Sequence, residues 1–175
     1  HRDLHSFPTR RSSDLRAAFG SCRWLVDTLL PKFGIQTTVI DARDPQQFID
    51  AIRPETKVYF FETPANPTMD VVDLEAVCGI ARERGIVSVV DNAFATPVLQ
   101  RPLDFGADVV AYSATKLMDG QGRVLAGAVC GSEEFIALTT RAQLLVDDIG
   151  IVGAFVGDNL QSLFADFGKQ IATLT

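Results

Sequence analysis

Five side chains that follow apolar runs are of types that can do chemistry together: Asn66, Asp91, Ser113, Thr115 and Lys116. A lysine amine condenses with an aldehyde. A carboxylate at the end of a buried strand holds a heterocyclic nitrogen protonated, through opposite charge and a charge-assisted hydrogen bond. Hydroxyls such as those of Ser113 and Thr115 donate to phosphate oxygens. Three of the five lie in AYSATKLMDGQGR, residues 111–123, which then runs into two closely spaced glycines, Gly120 and Gly122. Taken singly, each residue has an ordinary reading: Asp91 as a turn or cap residue, Asn66 before Pro67 as a turn former, the glycines as backbone punctuation, Lys116 as a solvated cation. The information lies in their joint occurrence at successive strand ends.

The elements that must position them follow from periodicity. Ser21 is placed to cap a helix carrying Trp24, Leu25 and Leu29, with Gly34 ending the turn after it. IQTTVI, 35–40, reads as a strand. Asp44-Pro45-Gln46-Gln47 sets an N-cap, a proline at the first helical position and a glutamine at the third, which starts a short helix to about Ile52. KVYFFE, 57–62, is the next strand. Asp73 caps a helix that puts Leu74, Val77, Cys78 and Ala81 on one face, with arginines near its end and Gly85 beyond. IVSVV, 86–90, and DVVAY, 108–112, are nearly continuous apolar runs, as in strands covered on both faces. Strands alternating with helices predict an α/β domain with a mostly parallel sheet and helices on both faces. VLAGAVCG, 124–131, follows after only a loop, too short for a helical crossover, so an antiparallel strand is expected there. A helix is expected from Ser132 to about Leu145.

Composition narrows the function classes. The 175 residues are 47% hydrophobic with mixed charges, a globular composition for one domain. A net charge of −6 gives no long-range attraction for nucleic acid or anionic lipid. Three cysteines, Cys22, Cys78 and Cys130, form no C-x-x-C pair, which suggests neither a disulfide framework nor a zinc site and reads as a reducing, cytoplasmic setting. Both histidines lie within the first five residues, so the rest of the chain holds no His-based triad or metal helix. The longest apolar runs fall far short of the roughly 18 residues a membrane span requires. No metal is expected.

In open α/β sheets ligands sit outside the carboxyl ends of the strands. A cofactor there would meet an aromatic ring, an amide, a carboxylate, two hydroxyls and an amine. That set meets the needs of pyridoxal 5'-phosphate (PLP), with Lys116 for the aldehyde, Asp91 for the pyridine nitrogen, and Ser113 and Thr115 for the phosphate.

VYFFETPANPTMDVVDL, VVDNAFATPVLQRPLDFGADVVAYSATK and DGQGRVLAGAVCG resemble the Cys/Met-metabolism family of fold-type-I PLP enzymes, over roughly Arg16–Phe135. The resemblance implies the large-domain fold of those enzymes, the same roles for Lys116, Asp91, Ser113 and Thr115, an amide near the cofactor's phenolic oxygen at Asn66, and Phe19 where many members stack a tyrosine on the ring. KLMDGQGR and AFGSCR are most similar to the branch of O-succinylhomoserine sulfhydrylases, which implies an O-succinylhomoserine-like substrate, sulfide as the second substrate and a homotetramer. Cystathionine γ-synthase or γ-lyase activity is the alternative within the family. Ala93 stands where many relatives have threonine. Outside the family, a non-catalytic α/β binding module is the competing expectation; a Rossmann enzyme ranks last, for want of G-x-G-x-x-G between a strand and a helix.

Both ends depart from this pattern. HSFPTRRSSDL, 5–15, lacks periodicity and resembles one reading frame of a common short-read sequencing adapter, so residues 1–15 are expected to be foreign and disordered. The PLP-binding core is expected over 16–137, with 138–175 a tail unlike the family. A glycine-rich phosphate loop before Phe19 and a later substrate-binding arginine are not found, which implies that the chain alone is inactive.

Overall fold

The computed structural model describes residues 10–15, 20–123, 125–137 and 152–156. They form one seven-stranded sheet, in the order β2-β1-β3-β4-β5-β6-β7. The strands are β1 Arg10–Leu15, β2 Ile35–Ile40, β3 Thr56–Glu62, β4 Val87–Asp91, β5 Val109–Ser113, β6 Gly127–Gly131 and β7 Val152–Val156. From β2 through β5 neighbouring strands are parallel; β6 runs antiparallel to β5, with Ser113 opposite Gly127, and β7 is parallel to β6. The antiparallel β6 is as expected, because a loop of this length can return the chain but cannot carry it back to the other end of the sheet.

The helices start and stop where local chemistry dictates. α2, Pro45–Asp50, opens on Asp44, whose carboxylate accepts the Gln46 N–H. α3, Leu74–Arg84, opens on Asp73, which accepts the Ala76 N–H at 3.0 Å, and closes on Gly85 at φ 62°, a left-handed conformation that costs glycine little. Before β2, α1 (Gly20–Trp24) continues through a π-helical turn, Leu25–Leu29, and a 3₁₀ turn, Leu30–Phe33. A four-residue helix α4, Thr96–Leu99, and a 3₁₀ turn, Pro102–Phe105, have no periodicity long enough to show in the sequence.

Alternation along the strands sorts side chains to two faces. Tyr59 and Phe61, Ser88 and Val90, Val110 and Tyr112, Ala128 and Cys130 are buried on one face, in a core shared with Phe48 of α2 and with Leu74, Val77, Cys78 and Ala81 of α3. Phe48 meets Tyr59 and Phe61 edge to face at 5.0 and 5.7 Å, and the Tyr59 hydroxyl donates to the Phe48 carbonyl at 3.1 Å. On the other face Thr37 donates to the carbonyl of Val26, so the segment after α1 covers the sheet from the opposite side. Ser88 and Asp108 lock β4 to the start of β5: Asp108 Oδ2 accepts from the Ser88 N–H and hydroxyl, both at 2.8 Å, and the Asp108 N–H donates to Ser88 Oγ at 3.0 Å.

Both chain ends differ from the sequence-based expectation. Arg10–Leu15, expected to be disordered, forms β1 and pairs along its length with β2, from Arg10 opposite Ile35 to Leu15 opposite Ile40. It also pairs with β3, with a shift of register between Arg11 and Ser12. A strand-wide space between two parallel strands presents unpaired N–H and C=O groups on both sides, and any extended backbone satisfies them whatever its side-chain periodicity. Likewise Val152–Val156, inside the segment expected to be a tail, pairs with β6. A helical turn over 133–137 begins with the Ser132 hydroxyl accepting the Phe135 N–H at 3.3 Å. The rest of the helix expected there lies outside the described residues.

Candidate active site

β3, β4 and β5 deliver their carboxyl ends side by side, Glu62 next to Asp91 and Asp91 next to Ala111 in register. Alternation puts Glu62 and Asp91 on the face away from the α2–α3 core. Asp91 Oδ1 accepts the Ala93 N–H at 3.0 Å. Burial pushes its carboxyl above the ordinary value, against the opposing pull of that N–H and of the Lys116 charge. Asp91 and Lys116 are therefore within electrostatic reach, although 25 positions apart in sequence. A carboxylate kept short of solvent in this way gains most from a cationic partner.

Lys116 sits in a π-helical turn, Ala114–Met118, directly after β5; its φ of −92° and ψ of −117° break the helical path, and the side chain is exposed. The turn is anchored on either side of the lysine. Thr115 N–H donates to the Ala126 carbonyl at 3.1 Å, Thr115 Oγ1 donates to the same carbonyl at 3.2 Å, and the Ala126 N–H donates to Thr115 Oγ1 at 2.9 Å. After it, the Asp119 carboxylate collects the N–H groups of Gln121 and Arg123 at 3.2 and 2.8 Å and the Arg123 guanidinium at 3.2 Å. Wrapping the chain round one carboxylate needs two left-handed residues, and Gly120 and Gly122 supply them at φ 69° and 67°. The Arg123 N–H foremost, with the Gln121 N–H and the guanidinium, holds the Asp119 carboxyl below its ordinary value.

Of the residues singled out from sequence, Asp91 and Ser113 lie at the ends of the adjoining β4 and β5, Lys116 lies in the turn directly after β5, and Asn66 stands in the loop after β3. The Asn66 N–H donates to Glu62 Oε1 at 3.2 Å. The Thr115 hydroxyl exchanges hydrogen bonds with the Ala126 backbone, which fastens the lysine turn to the strand entry. Phe19 lies outside the described residues. Sequence reasoning passed over Glu62, although it closes an apolar strand just as Asp91 does, and the amides of Asn92 and Gln100. Among the described residues no cluster of His, Cys, Asp and Glu could hold a metal ion, and no helix is long and apolar enough to cross a membrane.

A mostly parallel α/β sheet with an exposed lysine and a partly desolvated aspartate at adjoining strand ends defines the large domain of a fold-type-I PLP enzyme. The comparisons agree: the model of the Cys/Met metabolism PLP-dependent enzymes matches residues 14–157, and the chain belongs to that family. The match passes residue 137, where the family-like core was expected to end. The O-succinylhomoserine sulfhydrylase of Mycobacterium tuberculosis is 47% identical over 121 residues, covering 69% of this chain and 30% of that protein. The L-methionine gamma-lyase of Treponema denticola is 50% identical over 109 residues, covering 61% and 27%. A solved structure of a putative O-acetylhomoserine (thiol)-lyase from Campylobacter jejuni, with N'-pyridoxyl-lysine-5'-monophosphate, superposes with a TM-score of 0.64 at 34% identity, covering 67% of this chain and 29% of that one. The chain thus spans about 30% of the length of the relatives it matches.

The donor set fits PLP. An anion, an amine and a hydroxyl at adjoining strand ends are the group types that a protonated ring nitrogen, an aldehyde and a phosphate call for.

Proposed function

We propose that this chain contributes the lysine and the ring-nitrogen carboxylate of an O-succinylhomoserine sulfhydrylase, replacing the γ-succinyloxy group with sulfide to give homocysteine. The observation that carries the cofactor chemistry is the placement of Asp91 at the end of β4 and of Lys116 in the turn directly after the adjoining β5. PLP, when bound, supplies an electrophilic aldehyde and a protonated ring that takes up electrons from a substrate carbon. Asp91 would keep the ring nitrogen protonated. Lys116 would hold the aldehyde carbon in the resting state and move protons at substrate carbons once released. Ser113 would donate to the phosphate, and Asn66 would lie beside the phenolic oxygen. Phe19, in place of a tyrosine, could stack on the ring but not carry a proton.

The choice of sulfide replacement rests on the DGQG loop, 119–122, and on the likeness to sulfhydrylases. A γ-lyase is the second reading, favoured by the comparable identity to the Treponema protein. Incubating the chain with PLP, reducing with borohydride and mapping the adduct by mass spectrometry tests the cofactor chemistry: the label should fall on Lys116 and vanish in Lys116→Ala. A label that persists in that variant would refute the assignment. In a full-length protein carrying this segment, homocysteine formed only with O-succinylhomoserine plus sulfide supports replacement; ammonia released from methionine supports the lyase. A cytoplasmic homotetramer is the assembly this reading implies.

A further inference from the structure

Behind the strand ends two side-chain amides, the buried Asn92 and the half-buried Gln100, tie together the two loops that carry Asn66 and Asp91. Gln100, at the end of α4, donates through Nε2 to the Thr63 carbonyl at 2.7 Å and to Asn92 Oδ1 at 2.9 Å. Asn92, fully buried, donates through Nδ2 to the Gln100 carbonyl at 2.8 Å, the Tyr112 hydroxyl at 3.2 Å and the Thr96 carbonyl at 3.3 Å. Thr63, also fully buried, accepts the Val72 N–H on its hydroxyl at 3.0 Å, which closes the loop containing Asn66. The amide orientations are fixed by partners that can only accept. The Thr63 carbonyl forces Gln100 Nε2 inward; this presents a donor to Asn92 Oδ1 and turns Asn92 Nδ2 to the Thr96 and Gln100 carbonyls.

Gln100 thus bridges segments 37 and 8 residues away in sequence. We propose that Gln100 is a positioning residue, whose side-chain amide sets the spacing between the Thr63–Val72 loop and the Asp91–Gln100 loop so that Asn66 and Asp91 address one ligand ring. The inference rests on the cofactor reading above for what the two loops hold, but not for their coupling. Gln100 touches no reacting atom in it. A side chain that served only to finish α4 would bond within its own loop; the bond to Thr63 is the one that such a role leaves unused.

The test uses the 175-residue chain without cofactor, so that failure of the cofactor reading leaves the result unaffected. Gln100→Met keeps the length and removes the donor. Hydrogen exchange should quicken about tenfold both at Val72 and at Ala93 and Thr96, as expected for one lost hydrogen bond to a buried carbonyl, while α3 amides keep their rates. The Asp91 carboxyl, followed by carbon NMR, should titrate higher as the Ala93 N–H loosens. Acceleration confined to residues 92–100, or an unmoved Asp91 titration, would overturn the proposal. Should Gln100→Met unfold, Gln100→Glu decides: its protonated form can still donate to Thr63 and its ionised form cannot. With one proton to give, the acid form can keep the bond to Thr63 but not also the one to Asn92, so exchange at Val72 relative to wild type should be near one at acid pH and raised at neutral pH, and equal ratios at both would count against the bridge.

Discussion

Glu62 and Asp91 are register partners at the carboxyl ends of β3 and β4, which sets two carboxylates side by side on one face of the sheet. Glu62 is almost wholly buried and accepts the Asn66 N–H, whereas Asp91 takes the Ala93 N–H and feels the Lys116 charge. One carboxylate shapes a loop. The other is left to meet a cation.

Asp91 should therefore cost the cofactor-free chain stability at neutral pH. Its carboxyl titrates higher in the folded state than in the unfolded one, mainly through burial. The favourable difference is present in full below the unfolded value, about 3.9, and is lost as pH rises through the folded value. Asp91→Asn should raise the melting temperature at pH 7 and confer little at pH 3. A melting temperature lowered at pH 7 would contradict the burial argument.

Asp119 has the opposite sign. Its carboxyl is lowered by the N–H groups it gathers, so its contribution is present above the unfolded value and lost as pH falls through the folded one. Asp119→Ala should speed exchange at Gln121 and Arg123 several-fold at pH 7, with the difference shrinking toward pH 3. Equal rates at pH 7 would mean that the glycines alone set the loop.

The core can be probed at Phe48, whose ring fills the angle between Tyr59 and Phe61. Phe48→Ala should cost about 3–5 kcal/mol, read as a shift in the urea midpoint. A cost below about 1 kcal/mol would show that α2 is not packed as described.

Sequence made plain whatever depends on local pattern. Asp44 and Asp73 announced two helices, Gly85 a helix end, and the runs before Glu62, Asp91 and Ser113 announced strands. It left dark what depends on partners far along the chain. Nothing in Gln100 or Asn92 signals a bridge to Thr63, because an amide's value lies in which carbonyls surround it after folding. The bonds between Thr115 and Ala126 were dark for the same reason, since the fold alone brings the two together. Arg10–Leu15 meets the same limit: side-chain periodicity says little about a segment paired through its backbone.

That last segment gives the sharpest test of the fold. β1 stands between β2 and β3, so its removal would leave two rows of backbone groups without partners, each bond contributing about 0.5–1.5 kcal/mol net. Adapter-like sequence, in contrast, would be dispensable. Deleting residues 1–15 and comparing hydrogen exchange separates the two. With β1 in the sheet, amides of Ile35–Ile40 and Thr56–Tyr59 should exchange at least about tenfold faster after deletion, while α3 and β4 change little. If those rates stay the same, the strand does not form in solution, and the first fifteen residues contribute nothing to the domain that presents Asp91 and Lys116.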